Sequence, residues 1–216
     1  MIDIKIRSFT GSTLKSFLPS IARLRIEVFR DYPHLDEGNL EQEITYFERY
    51  LSSKEAIGVI VFDGSTIVGA STGIPLENEI EEIQKPFLEK NLNPSSIFFF
   101  SESVLLKAYR GRGIAHHFFD LREEHVLSQK KFDHISFCCV SRPEHDPKRP
   151  KDYLPLDDFW RKRGFTLHSE ICYPNIWKDL DDQVPSEKTM VFWIKDLHQI
   201  PLVKKEELKI PLLVAT

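Results

Sequence analysis

Residues 97–119, IFFFSESVLLKAYRGRGIAHHFF, carry an apolar, strand-like run into a glycine-punctuated turn and on into a helical pattern. The turn is Arg110-Gly111-Arg112-Gly113-Ile114-Ala115. Glycines let a backbone approach an anion closely. The first N–H groups of a helix lack internal partners, and the helix dipole favours negative charge beside them. Arg110 and Arg112 add charge-assisted donors. The spacing points to a phosphate-bearing ligand, although the same glycines also serve a purely structural strand-to-helix turn. Two phosphate motifs are excluded. His116 stands where a dinucleotide fingerprint needs Gly or Ala, and no Gly-Lys-Ser/Thr follows as a P-loop requires.

Glu102 is the other residue placed to do chemistry. It is a lone carboxylate inside the apolar run, beside Phe98–Phe100. Desolvation there raises its pKa and suits it to take a proton near neutrality. The rival reading is a solvated or salt-bridged carboxylate on the open face of a sheet. Cys138 and Cys139 suggest a thiol nucleophile, but no base is identifiable for them, and buried strand cysteines are ordinarily small core hydrophobes. With Cys172 they make three cysteines, which is neither a disulfide framework nor zinc-site spacing.

Several elements must position these residues. Alternation at 2–6 predicts an edge strand. Ser12 or Thr13 caps a helix with apolar Leu14, Leu18, Ile21 and Val28, which Asp31-Tyr32-Pro33 stops. A second helix runs from Leu40 to Leu51. Strands at 57–62 and 66–72 flank Asp63-Gly64-Ser65, a hairpin signal. Residues 79–91 form a short acidic helix or an ordered loop. A strand at 97–106 leads to a helix from Gly113 to Ser128, with Ile114, Phe118 and Leu121 on one face. A buried strand at 134–140 follows. An insertion with prolines at 143, 147, 150 and 155 precedes a short helix, Leu156–Lys162, which Gly164 ends. Strands at 165–172 and 188–195 come last. The unit 97–140 is expected to be parallel and right-handed, the hairpin and the last pair antiparallel. The fold class is α/β (α+β), a mixed central sheet of about six or seven strands with helices on both faces. Residues 1–216 read as one domain. It comprises acceptor-side helices at about 12–51, a ligand-binding core at about 97–172 and a tail at 198–216.

In this context the turn resembles the Arg/Gln-x-x-Gly-x-Gly/Ala signature of the GNAT superfamily of acetyltransferases. Phe159-Trp160-Arg161-Lys162-Arg163-Gly164-Phe165 is similar to that family's following helix. The order of elements matches across residues 2–195. The resemblance implies acetyl-coenzyme A as co-substrate, with no metal. Arg110, Gly111, Arg112, Gly113, Ile114 and Ala115 would hold its pyrophosphate, and Val104, Leu105 and Leu106 its pantetheine arm. It implies direct attack of a primary amine on the thioester, with Glu102 as base. A Tyr is usual where Trp160 stands beside the cofactor, and indole donates a hydrogen bond but no proton. Tyr153, His145 and Ser141 are the remaining candidates to protonate the leaving sulfur.

On the acceptor side, Phe29, Tyr32, Tyr46 and Tyr50 suit a pocket wall, with Glu27 and Asp31 attracting a cationic amine. The competing assignment makes the aromatics core and the carboxylates a solvated face. The stiff insertion 142–155 reads as an ordered lid, with His145 and Ser141 against the substrate. A net charge of −4 gives no case for nucleic acid or an anionic membrane. No signal peptide or spanning segment is evident, and cysteine usage points to the cytoplasm. The expected partner is a small-molecule amine; the tail from 198 is available to pack against a second copy in a homodimer. Two other readings stand beside this one: a non-catalytic acyl-coenzyme A binding or sensing module, and a protein N-acetyltransferase.

Overall fold

A computed structural model of the chain describes residues 3–198. Expectations for Ile2 and for the tail beyond His198 lie outside the described residues. Eight strands form the sheet: β1 (Ile4–Thr10), β2 (Ile57–Asp63), β3 (Thr66–Pro75), β4 (Ile97–Phe99), β5 (Ser103–Leu105), β6 (His134–Ser141), β7 (Thr166–Trp177) and β8 (Ser186–Asp196). The spatial order is β1-β2-β3-β4-β6-β8-β7, with β5 also paired to β3. The helices are α1 (Leu18–Phe29), α2 (Leu40–Ser52), α3 (Glu81–Glu89), α4 (Ile114–Gln129) and α5 (Asp157–Lys162).

Most expectations hold. The hairpin turns at Gly64, where φ is +59°. The β4–α4–β6 unit is parallel, and β7 pairs antiparallel with β8. Residues 81–89 are helical. One start differs: Thr10, with Thr13, caps a 3-10 turn at Gly11–Ser16, and α1 begins only at Leu18. Pro19 accounts for this, because proline fits the first turn of a helix and breaks its interior.

The sheet has eight strands instead of six or seven because the run 97–106 is two strands. Ser71 pairs with Ser103 and Ile74 with Phe99, so β3 advances three residues while the opposing strand advances four. The extra residue is a β-bulge at 100–102. It reverses the side-chain alternation. Phe98 and Phe100 pack with Ile114, Phe118 and Phe119 of α4, whereas Val104 packs with Leu14 and Ile21 on the α1–α2 side. A third cluster, on the α3 side, joins Phe87, Phe99, Tyr173 and Phe192.

Past the bulge the sheet divides. β4 holds β6 through the pairs Ile97–His134 to Phe99–Ser136, and Phe100 N–H adds a bond to Ser136 at 2.8 Å. From there β5 continues along β3, while Phe137–Ser141 continue along β8. A gap therefore opens between β5 and the second half of β6.

Candidate active site

Glu102 sits where the two halves of the sheet part, and it is 4% exposed. The bulge turns it away from Phe98 and Phe100, toward α1. It is not the lone carboxylate expected from sequence. Arg25 of α1 donates from Nη1 to Glu102 Oε2 at 2.7 Å, and the Thr72 hydroxyl donates to Oε1. Burial raises the pKa of Glu102, Arg25 and Thr72 pull it back, and the net direction is upward. The expected direction stands although the surroundings differ.

Arg25 itself is held on all sides. Its Nε donates to Glu43 at 2.5 Å, and its guanidinium lies 4.7 Å from the Tyr46 ring centroid and 4.8 Å from that of Phe29. Beyond Thr72 the polar cluster continues through Tyr50 and Ser101 to Glu79, a second buried carboxylate. Arg49 and Tyr46 close it by donating to Glu79. The sequence offered Tyr46 and Tyr50 for a pocket wall, whereas Tyr50 is fully buried in this cluster; Arg25, Thr72, Glu79 and Ser101 were missed. Arg25 had a visible signal, since it follows Leu18 and Ile21 at helical spacing on the apolar face of α1.

On the opposite face Arg122 of α4 is 1% exposed. Its Nη1 donates to the carbonyls of Thr72 (2.9 Å) and Glu102 (3.3 Å), its Nη2 to Ser103 Oγ (2.8 Å), and its Nε to the Phe118 carbonyl (3.0 Å). It lies 4.1 Å from the Phe100 ring centroid. Arg122 thus adds a second, charge-assisted bond to two carbonyls at the bulge that Ser101 N–H and Thr72 N–H already hold. No carboxylate pairs with it among the described residues.

The glycine turn is open. Gly111 and Gly113 have φ of +76° and +78°, and a Cβ placed on either would meet nothing within 4 Å. Gly113 is the N-cap of α4, whose leading amides point outward. Only glycine reaches that conformation cheaply while leaving the amides uncovered. Arg112 lies beside the turn, with Nη2 3.4 Å from the Ala108 carbonyl. Arg110 reaches back instead: Nε donates to the Leu105 carbonyl at 3.1 Å and Nη2 to Asp31 at 3.0 Å. The turn is thereby tied to the end of α1. Ile114 is buried and anchors α4; Ala115 is exposed.

The remaining sequence candidates divide. Trp160 is packed edge-on against Phe137 and Trp193, with centroids 4.9 and 5.2 Å away. Tyr32 and Tyr153 form a T-shaped pair at 4.7 Å, joining the loop after α1 to the insertion 142–155. Phe29 stacks on His34 at 4.1 Å. Burial, together with the charges of Arg25 and Arg142, drives the His34 pKa down to about 3, so this imidazole is neutral. Ser141, His145 and Glu27 are exposed. Burial pushes the thiols of Cys138 and Cys139 up to about 12 and about 11, which leaves neither a thiolate at neutral pH.

Asp179, missed in the sequence, clasps the loop after α1 to the insertion. Arg142 donates to both its oxygens (2.8 and 3.0 Å) and to the carbonyls of Pro33 and His34. Lys148 and Lys188 reach the same carboxylate at 3.0 and 2.9 Å. Trp177 Nε1 also donates to the His34 carbonyl, and Leu180 N–H to that of Leu35. The loop after α1, the insertion and the β7–β8 connection are thus joined. Among the described residues no group of His, Cys, Asp and Glu forms a metal site, and no helix is long and apolar enough to cross a membrane.

No family model and no curated protein matches the chain. Solved structures do. An N-acetyltransferase from Staphylococcus aureus Mu50 superposes with a TM-score of 0.57 at 13% identity, covering 90% of this chain and 98% of its own. An acetyltransferase of the GNAT family from Streptococcus pneumoniae gives 0.55 at 13%, covering 90% and 100%. The chain has the GNAT fold. Arabidopsis thaliana NAA60, solved with a bisubstrate analogue, shares that fold with a TM-score of 0.57 at 11% identity, covering 89% and 98%. So does yncA from Salmonella typhimurium, solved with its cofactor acetyl-CoA, at 0.55 and 9%, covering 91% and 95%. Within the GNAT fold of this chain, the bulge, Glu102, β5 and the open turn lie along one continuous segment, 97–115.

Proposed function

We propose that this protein is an N-acetyltransferase that moves an acetyl group from acetyl-coenzyme A to a primary amine of a small molecule. The observation that carries the reading is Glu102, a buried carboxylate aimed by the bulge to the point where β5 and β6 part, a few residues before the open turn. The uncovered amides at Gly111–Ala115 and the side chain of Arg112 would hold the pyrophosphate. The β5 edge freed from β6 would hold the pantetheine arm through Val104, Leu105 and Leu106. yncA, of the same fold, was solved with acetyl-CoA, which supports this choice of ligand.

In the reaction the amine nitrogen attacks the thioester carbon, an N–C bond forms, and the C–S bond breaks with its electron pair going to sulfur. Glu102 takes the proton released by nitrogen. Its raised pKa brings it nearer to the basicity this transfer needs. Trp160, locked among Phe137 and Trp193, supplies no proton. A thiol has an ordinary pKa of about 8.5, so the sulfur leaves as thiolate and is protonated by solvent. The Asp179 clasp favours a small acceptor over a polypeptide, because it ties three loops together across the acceptor side.

Two measurements test this reading. Acetyl-coenzyme A at millimolar concentration should raise the melting temperature, since a ligand that binds only the native state stabilises it. Thiol release against a panel of small amines should then fall by about 10²-fold or more in Glu102→Gln. Absence of a thermal shift overturns the cofactor assignment. Full activity in Glu102→Gln at every pH overturns the base assignment; a thermal shift with no amine acetylated by the parent protein leaves a binding or sensing module as the better reading.

A further inference from the structure

Glu102 is buried, and a base that takes a proton in every turnover must lose it again. The polar cluster behind it supplies a route. Glu102 Oε1 contacts Thr72 Oγ1, Thr72 Oγ1 lies 3.2 Å from the Tyr50 hydroxyl, that hydroxyl contacts Ser101 Oγ, and Ser101 Oγ lies 3.0 Å from Glu79 Oε1. Three hydroxyls therefore connect two buried carboxylates without a break. Each hydroxyl can donate and accept, so each can pass one proton while receiving another. Glu79 in turn bonds Tyr46 and Arg49, which line an open cleft of about 550 Å³ on α2.

We propose that Thr72, Tyr50 and Ser101 form a proton relay from Glu102 to Glu79, through which the proton taken from the amine leaves the site. The inference rests on Glu102 being the base. With both carboxylates ionised, Thr72 donates to Glu102 while Tyr50 donates to Ser101 and Ser101 to Glu79. The link between Thr72 and Tyr50 then carries no proton. Protonation of Glu102 reverses this. Its new O–H donates to Thr72, and Thr72 turns its own proton to Tyr50. The line is then continuous: Glu102 to Thr72, Thr72 to Tyr50, Tyr50 to Ser101, Ser101 to Glu79. One shift along it leaves Glu102 ionised and Glu79 protonated, and every hydroxyl keeps one proton. Glu79 then releases its proton beside Tyr46, at the cleft.

A relay in series has a signature that packing lacks: the first break costs everything, and the second costs nothing more. Tyr50→Phe keeps the ring and removes one link; Ser101→Ala removes the next. With acetyl-coenzyme A and the panel amine turned over fastest, each variant should lower kcat by about tenfold and leave both KM values within about twofold. The double variant should match the singles, and the solvent deuterium effect on kcat should fall in all three. Losses that multiply in the double variant, or kcat unchanged in both singles, overturn the relay while Glu102→Gln remains inactive. A Glu102→Gln enzyme of full activity removes the base and the relay together. If Tyr50→Phe does not fold, Ser101→Ala with its isotope effect decides alone.

Discussion

Arg25 Nη1 and Glu102 Oε2 are 2.7 Å apart, on a helix and a strand separated by 77 residues, and the carboxylate side chain is fully buried. This pair sets how basic Glu102 is. Arg25 favours the ionised form, and burial opposes it more strongly. Arg25→Met should therefore move the acidic limb of the kcat/KM profile further up in pH. The same change leaves Glu102 and Glu43 without their cation and should cost roughly 3 kcal/mol in urea unfolding at pH 7. A limb that stays in place would show that the group titrating there is not Glu102 beside Arg25.

Gly113 offers a sharper test of the turn. Gly113→Val forces a branched side chain into a left-handed backbone position, at a cost of about 2 kcal/mol. No atom lies within 4 Å of the new Cβ, so the rest of the fold should stand. The thermal shift given by acetyl-coenzyme A should vanish. If that shift persists undiminished, the turn is structural only.

Arg122 should prove more costly to remove than its distance from the surface chemistry suggests. Arg122→Met strips the bonds from Thr72 O, Glu102 O and Ser103 Oγ. Ser101 N–H still holds Thr72 O and Thr72 N–H still holds Glu102 O, so what is lost is the charge-assisted bond to each, about 1.5 kcal/mol apiece. We expect destabilisation of roughly 3 kcal/mol and faster amide exchange at Thr72 and Ser103. Stability within about 0.5 kcal/mol of the parent would mean that the bulge holds without it.

Asp179 makes a pH-dependent prediction. Burial alone would raise its pKa, but the bonds from Arg142, Lys188 and Lys148 hold it well below the ordinary carboxylate range. A depressed folded pKa gives stability that is present above the unfolded value, about 3.9, and is lost as pH falls below it toward the folded value. Asp179→Asn should thus be less stable than the parent at pH 7, by about 3 kcal/mol, and the difference should shrink near pH 3. The KM of the panel amine should rise while that of acetyl-coenzyme A holds. A constant stability gap from pH 7 to pH 3 contradicts the ionised clasp.

The unit β4–α4–β6 was legible because its signals are local: apolar runs, two glycines and a helical stripe. The hairpin at Gly64 was legible for the same reason. The bulge was not, since Ser101-Glu102-Ser103 reads as ordinary alternation and the extra residue is evident only against the register of β3. Glu102 was found, but its partners lie far away in sequence. Arg25 and Arg122 each left a trace, a cation on an apolar helix face between residues such as Ile21 or Phe118. Asp179 left none, because its three cations come from the end of β6, the insertion and β8, and the sequence does not specify that these meet.

The parity switch at 100–102 constrains the gene more than the side chains there. Since Phe100 faces α4 and Val104 faces α1, the number of residues between them decides which side every later side chain takes. Exchanges within the segment should be easier to accommodate than a one-residue insertion or deletion. An indel would send Val104 toward α4, slide β5 along β3 and carry the start of the glycine turn with it.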